Sequence, residues 1–171
     1  MPVELARVVT IDPDKCTGCR SCQMACSIKH FGFCSPRHAL IKVHEFGDLN
    51  IFIPVICQAC ETATCEKVCP TNARYRLPNG AMATDGDKCI GCRGCVYACP
   101  FGALVVEPDT GQAKSCDLCQ GDPAGPWCVR ACTLQKALRF VDLNKAATIR
   151  RQERSRLLRT EMSPRDPGTK S

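Results

Sequence analysis

Apolar positions along the chain come in short runs separated by polar and small residues. Residues 5–11, 39–45, 51–56, 103–107 and 137–141 each predict a strand of a few residues. The run ALIKVHE at 39–45 alternates roughly apolar and polar, the period of a half-buried strand. Pro78, Asn79 and Gly80 separate residues 74–77 from 81–84 and predict a hairpin turn. Proline and glycine mark further loops at residues 108–111 and 121–126. Helical patterning in the body is limited to about one turn in each cysteine-bearing segment. From Asp142 the character changes. Asp142 and Asn144 offer capping side chains, and KAATIRRQERSRLLRTEM then runs without Gly or Pro until Pro164. Ala146, Ile149, Leu157 and Leu158 form a broken apolar stripe on this helix, and residues 163–171 are expected to fray. Together these elements predict a small α+β fold with a C-terminal helical extension.

Composition explains why the runs are short. The hydrophobic fraction is 44%, but it counts 17 cysteines among 171 residues, and without them it falls to about 34%. Aromatic residues make up only 5%. So thin an aliphatic and aromatic core calls for another source of cohesion. The longest apolar run is far short of a membrane span, which predicts no direct membrane span. The N-terminus shows neither a basic segment followed by an apolar one nor a twin arginine, so a cytoplasmic location is expected. In that compartment thiols stay reduced, which favours metal ligation over a disulfide framework.

Charge is unevenly spread. The formal net charge is +6, but residues 145–171 hold eight Lys or Arg against three Asp or Glu. Residues 1–144 are nearly neutral, with fifteen basic against fourteen acidic residues. A basic tail on a neutral body, without interleaved aromatics, excludes nucleic acid as the expected partner.

Sixteen of the 17 cysteines fall into four groups of four. The first is Cys16-x2-Cys19-x2-Cys22-x3-Cys26, and the second is Cys57-x2-Cys60-x4-Cys65-x3-Cys69 before Pro70. The third is Cys89-x2-Cys92-x2-Cys95-x3-Cys99 before Pro100, and the fourth is Cys116-x2-Cys119-x8-Cys128-x3-Cys132. A C-x2-C-x2-C loop wraps three corners of an iron–sulfur cube, and the cysteine three residues on, before Pro, reaches a second cube. The third group matches that run throughout. A zinc ribbon uses two separated C-x2-C pairs. It would fit the fourth group alone, but not the first or third, with four cysteines inside eleven residues. The spacing therefore predicts iron–sulfur clusters.

Four segments carry a resemblance to a known family: KCTGCRSCQMACSIKHFG, CQACETATCEKVCP, DKCIGCRGCVYACPFGAL and KSCDLCQGDP with CVRAC. In this order they resemble the cysteine motifs of the four-cluster, ferredoxin-like iron–sulfur subunits of molybdenum and tungsten oxidoreductases. That family includes subunits of dimethyl sulfoxide reductase, formate dehydrogenase and polysulfide reductase. The short length and the segment SIKHFGFCSPRHALIKV look most like small subunits of tungsten aldehyde oxidoreductase complexes. Electron-transfer subunits that accompany carbon monoxide dehydrogenase look similar too.

The resemblance implies four [4Fe-4S] clusters held by nested ligand exchange. Cys16, Cys19, Cys22 and Cys132 would hold one cluster, and Cys116, Cys119, Cys128 and Cys26 the next. Cys57, Cys60, Cys65 and Cys99 would hold a third, and Cys89, Cys92, Cys95 and Cys69 a fourth. The implied architecture is two bacterial-type two-cluster ferredoxin modules, one inserted in the other. Residues 1–50 and 108–144 form the outer module, 51–107 the inserted one, and 145–171 a basic helical tail. Ser27 and Thr133 stand where the family's proline would follow the outer fourth ligands, a departure expected to loosen those loops. Four oxidised cubes, each about −2 with its thiolates, would turn the formal +6 into roughly −2.

The implied function is electron transfer without catalysis. Partners would be a tungsten- or molybdenum-pterin catalytic subunit, aldehyde oxidation being the favoured reaction, and a flavoprotein or other electron acceptor. Carbon monoxide dehydrogenase, hydrogenase or reductase complexes, or service as a stand-alone polyferredoxin shuttle, are the alternatives. The extra tail suggests self-association. No Walker loop, dinucleotide fingerprint or Ser-His-Asp pattern is present. Cys34 stands outside the four groups and reads as a small loop residue; His30, His38 and His44 read as packed or solvated. Trp127, beside Cys128, is expected to shield a cluster, and residues 84–87 to form a turn and not a calcium loop.

Overall fold

The computed structural model describes residues 7–162, and side chains of the last helix up to residue 152 and at Ser155. Four separate two-stranded antiparallel ladders carry the strand content. β1 (Arg7–Ile11) pairs with the last strand, β8 (Leu138–Asp142), so the two ends of the body meet. β2 (Lys42–Phe46) and β3 (Ile51–Val55) form a hairpin, with His44 opposite Ile53. β4 (Arg74–Arg76) and β5 (Met82–Thr84) flank the Pro78-Asn79-Gly80 turn, where Gly80 has φ 82° and donates its N–H to Leu77 O. β6 (Val105–Val106) and β7 (Ala113–Lys114) complete the set.

Between the ladders lie four helices that carry cysteines. α1 (Ser21–Phe31) runs 11 residues, well beyond the single turn that the sequence predicts. It continues because QMACSIKHF contains no breaker, and it stops at Gly32, left-handed at φ 78°. Ser27 sits inside this helix, where proline would remove a hydrogen bond and clash with the preceding turn. Its hydroxyl donates to Met24 O at 2.9 Å and accepts from the Ser35 N–H at 2.9 Å, with no exposed surface. The expected loosening at Ser27 is therefore corrected: the serine ties the following loop to the helix. α2 (Thr64–Lys67), α3 (Gly94–Tyr97) and α4 (Trp127–Ala131) are about one turn each, as expected.

α1 packs on α4, and α2 on α3. Two hydrophobic cores result. Val9, Cys22, Cys26, Leu40, Ile41, Ile56, Cys116, Cys128 and Leu138 belong to the first; Ala63, Cys65, Met82, Cys95, Leu104 and Ala113 form the second. The β2–β3 hairpin straddles residue 50, and Val43 and Phe52 both pack into the first core. A division at 50/51 would thus cut a hydrogen-bonded ladder.

The last helix, α5 (Leu143–Met162), packs its start on β1 and β8 and buries Ala146. The tail expected from residue 145 thus begins as part of the outer packing. The expected fraying at 163–171 lies outside the described residues, as do residues 5 and 6 of the first expected strand. Among the described residues, no helix is long and apolar enough to cross a membrane.

Candidate functional site

Every cysteine group uses one backbone device. The residue just before the second cysteine is left-handed in all four groups: Gly18 (φ 70°), Ala59 (φ 48°), Gly91 (φ 69°) and Leu118 (φ 61°). A left-handed residue reverses the chain tightly, so two cysteines three apart present their sulfurs to one side. In the first and third groups Arg20 (φ 59°) and Arg93 (φ 62°) repeat the reversal just before the third cysteine's helix begins. Glycine adopts this conformation without strain; Ala59 and Leu118 adopt it against their preference.

The tertiary structure then joins cysteines that are remote in sequence. Cys16, Cys19 and Cys22 line one cavity with Cys132. Cys89, Cys92 and Cys95 line another with Cys69. Burial pushes the Cys128 thiol up, and nearby charge on Cys26, Cys119 and Cys22 pushes it further. Burial likewise raises Cys116, with Cys128 and Cys26 adding to it. Cys57 is raised by burial and by its neighbours Cys65 and Cys60, and Cys57 and Cys99 both pack against the second core. Cys95 is raised by burial and feels the charges of Cys65 and Cys69. Cys34 is exposed and belongs to none of these sets.

Such a donor set suits a polynuclear iron core. Cys22 is pushed up to about 12 by burial, then by Cys16, Cys19 and Cys132. Four thiolates gathered in one cavity, with Cys22 buried and Cys19 exposed, repel one another, and positive metal is what reconciles them. Amide donors are already aimed at the sulfurs. The Leu40 N–H reaches Cys26 Sγ at 3.3 Å, the Ala73 N–H reaches Cys69 Sγ at 3.2 Å, and the Leu118 N–H reaches Cys116 Sγ at 3.4 Å. N–H donors toward sulfur favour the charged form and are a main lever on cluster potential.

Several side chains near the sulfurs carry no signal in the linear sequence. His30 Nε2 stands 3.8 Å from Cys119 Sγ and 3.4 Å from Asp117 Oδ1, and burial lowers its pKa. These three residues come close enough to hold a metal ion together, which the spacing of His30 gives no hint of. His38 instead joins Ser35 Oγ at 2.8 Å and Asp109 Oδ2 at 3.2 Å, while His44 is exposed. Trp127 Nε1 donates to Asp122 Oδ2 at 2.6 Å, and its backbone N–H lowers the Cys119 thiol against the larger effect of burial. The indole thus braces the eight-residue spacer beside the sulfurs. Asp85 accepts from the Asp87 N–H at 3.1 Å and pairs with Lys88 at 2.9 Å, so the chain leaves β5 at Thr84 and turns at residues 86–88.

Residues 49–143 match the 4Fe-4S dicluster domain family, and residues 7–27 match a 4Fe-4S binding domain. The electron transport protein HydN of Escherichia coli K12 is 35% identical over 170 residues, covering 88% of this chain and 96% of HydN. The polyferredoxin-like subunit of aliphatic sulfonate oxidoreductase from Pyrococcus furiosus is 39% identical over 126 residues, covering 72% of this chain and 70% of that subunit. Among solved structures, a chain of the BamBC active site complex of benzoyl coenzyme A reductase, bound to 1,5-dienoyl-CoA, aligns with a TM-score of 0.50 at 25% identity. That alignment covers 97% of this chain and 83% of the other. The cysteine turns, the thiol-lined cavities and these likenesses agree, and the chain belongs to the 4Fe-4S dicluster domain family.

Proposed function

We propose that this chain is a non-catalytic electron-transfer subunit carrying single electrons, by means of four bound [4Fe-4S] clusters, between a tungsten- or molybdenum-pterin subunit and a second redox partner. The ligand sets are Cys16, Cys19, Cys22 and Cys132; Cys116, Cys119, Cys128 and Cys26; Cys57, Cys60, Cys65 and Cys99; and Cys89, Cys92, Cys95 and Cys69. They make two modules, the one around the second hydrophobic core inserted into the one around the first. The observation that carries this reading is the cavity in which Cys132 joins Cys16, Cys19 and Cys22 across more than a hundred residues of chain. A loop-local zinc site would have no use for that union. The packing of α1 on α4 and of α2 on α3, which brings Cys22 toward Cys128 and Cys65 toward Cys95, supports clusters placed side by side.

The protein's own residues do the positioning. Left-handed turns aim the sulfurs, amides donate to them, and the two cores exclude water. Exposed apolar side chains near the outlying groups suit docking of redox partners: Leu134 beside the first cavity, and Ile90 and Tyr97 around the third group. HydN is named an electron transport protein, and the Pyrococcus relative is named a subunit of an oxidoreductase. Both names favour an electron carrier. Aldehyde is the substrate class proposed for the catalytic partner, and self-association through the tail is proposed alongside.

Anaerobic purification of the full chain tests the cofactor: about sixteen iron and sixteen sulfide per chain are expected, with potentiometric EPR showing reducible clusters. A colourless, zinc-bearing chain overturns the reading. Capture of its partner under the same conditions, with metal analysis and an aldehyde-dependent reduction assay, tests the rest. A captured partner that lacks tungsten and molybdenum overturns the pterin assignment.

A further inference from the structure

Arg74 is only 2% exposed, yet no carboxylate among the described residues pairs with it. Among the described residues the other buried charged side chain, Glu107, has Lys114 Nζ at 3.3 Å. Arg74 has only neutral partners. Nη1 donates to Thr84 Oγ1 at 2.5 Å and Nη2 to Ser115 Oγ at 2.9 Å. Those hydroxyls spend their own protons elsewhere, Thr84 on Ala113 O at 2.6 Å and Ser115 on Met82 O at 2.7 Å. Both oxygens are thereby held as acceptors that face the guanidinium. Nε has no hydrogen-bond partner at all.

An enclosed, permanently charged group without a counter-ion is strongly disfavoured. The groups that face it are sulfurs. Nη2 lies 3.9 Å from Cys65 Sγ, and the side chain lines the cavity that Cys69, Cys89, Cys92 and Cys95 share. Its charge is felt at both Cys57 and Cys95, where it lowers thiols that burial raises. Arg74 therefore stands between the second and third cysteine groups and touches the surroundings of both.

We propose that Arg74 is the shared buried counter-charge of the two clusters held by Cys57, Cys60, Cys65 and Cys99 and by Cys89, Cys92, Cys95 and Cys69, and that it raises the reduction potential of both. This rests on the four-cluster reading above. Each reduction adds one electron and no proton, so the negative charge of cube and thiolates grows by one. A fixed guanidinium a few ångströms away stabilises the reduced form more than the oxidised one. The outer two clusters are expected to respond less, even though Ser115, which Arg74 holds, directly precedes Cys116.

The experiment compares full-length protein with Arg74→Gln, Arg74→Met and Arg74→Lys, all purified anaerobically. Iron and sulfide are counted, then potentials are read by EPR during titration with dithionite as the reductant. In the neutral variants two of the four potentials are expected to fall by at least tenfold in reduction equilibrium constant, about 59 mV for a one-electron couple. The other two shift less, and Arg74→Lys stays near wild type. Retained iron with all four potentials unchanged in Arg74→Gln overturns the proposal. If the neutral variants shed about half their iron, Arg74→Lys decides. Retention by the lysine supports a counter-charge, and equal loss means that Arg74 only packs. Wild-type iron far below sixteen would instead sink the four-cluster reading.

Discussion

Gly18 lies directly beneath the ring of Phe52, so close that a Cβ placed on the glycine would come within 2.5 Å of Phe52 Cε1. The glycine belongs to the first cysteine turn, and the phenylalanine to β3 of the hairpin that follows it in the chain. The ring closes one side of the loop that carries Cys16 and Cys19. A single residue thus answers two demands, a left-handed φ of 70° and room for an aromatic ring.

Gly18→Ala accordingly meets strain twice. We expect a loss of about 2–6 kcal/mol, the sum of a left-handed penalty and an overpacked contact. Iron content should fall by about a quarter, one cluster in four. Gly32→Ala is the matched control, since it is left-handed but has nothing within 4 Å of the added Cβ. Iron counts and denaturant midpoints on both variants check this; equal effects at the two positions would refute a role for Phe52.

The pairing of remote cysteines is open to a double-substitution test. If Cys16 and Cys132 serve one cluster, Cys16→Ala and Cys132→Ala each remove about four irons, and the double variant removes no more. Cys16→Ala with Cys116→Ala should instead remove about eight. Additive loss in the first pair would dissolve the proposed exchange between the chain's two ends.

Proton binding gives a third test. Cys22 has its pKa at about 12 in the fold, against an ordinary 9.0. The folded, cluster-free chain therefore holds this proton more tightly than the unfolded chain does. That contribution to stability is complete below pH 9 and is lost as pH rises toward 12. Denaturant midpoints of the cluster-free chain should fall between about pH 9 and pH 12, while those of the iron-loaded chain should not follow, because iron has replaced the proton. The same proton affinity makes the loaded chain acid-labile. A cluster-free midpoint unchanged over that interval would contradict the burial of Cys22 among thiols.

The last helix separates packing from association. Ala146 is buried against the β1–β8 ladder and Ile149 is half-buried, whereas Arg151 and Gln152 are exposed. Ending the chain at residue 152 should leave iron content unchanged, whereas ending it at 144 should uncover the ladder and lower stability. Light scattering on the full chain and on residues 1–152 then reads association directly. The proposed self-association predicts a larger mass for the full chain, and two equal monomer masses would end it.

Spacing alone made the chemistry legible. Four cysteine groups, with Pro70 and Pro100, pointed to iron–sulfur clusters, because a tight thiolate loop is a local structure written in consecutive residues. The hairpin at Pro78-Asn79-Gly80 and the start of the last helix were readable for the same reason. The three-turn extent of α1 was not, since its C-terminal stop is one glycine among several. Nor could Ser27 be read as a tie between helix and loop, because that depends on where Ser35 comes to lie.

What folding alone decided is which distant groups share an environment. Antiparallel pairing of Arg7–Ile11 with Leu138–Asp142 is what carries Cys132 to the first loop. The β4–β5 and β6–β7 ladders are what deliver Arg74, Thr84 and Ser115 to one buried point beside Cys65. Ligand type follows from local order in the chain, while burial, uncompensated charge and the company each sulfur keeps arise only when remote segments pack. A linear sequence holds no distance between residues a hundred positions apart, and electrostatics depends on distance.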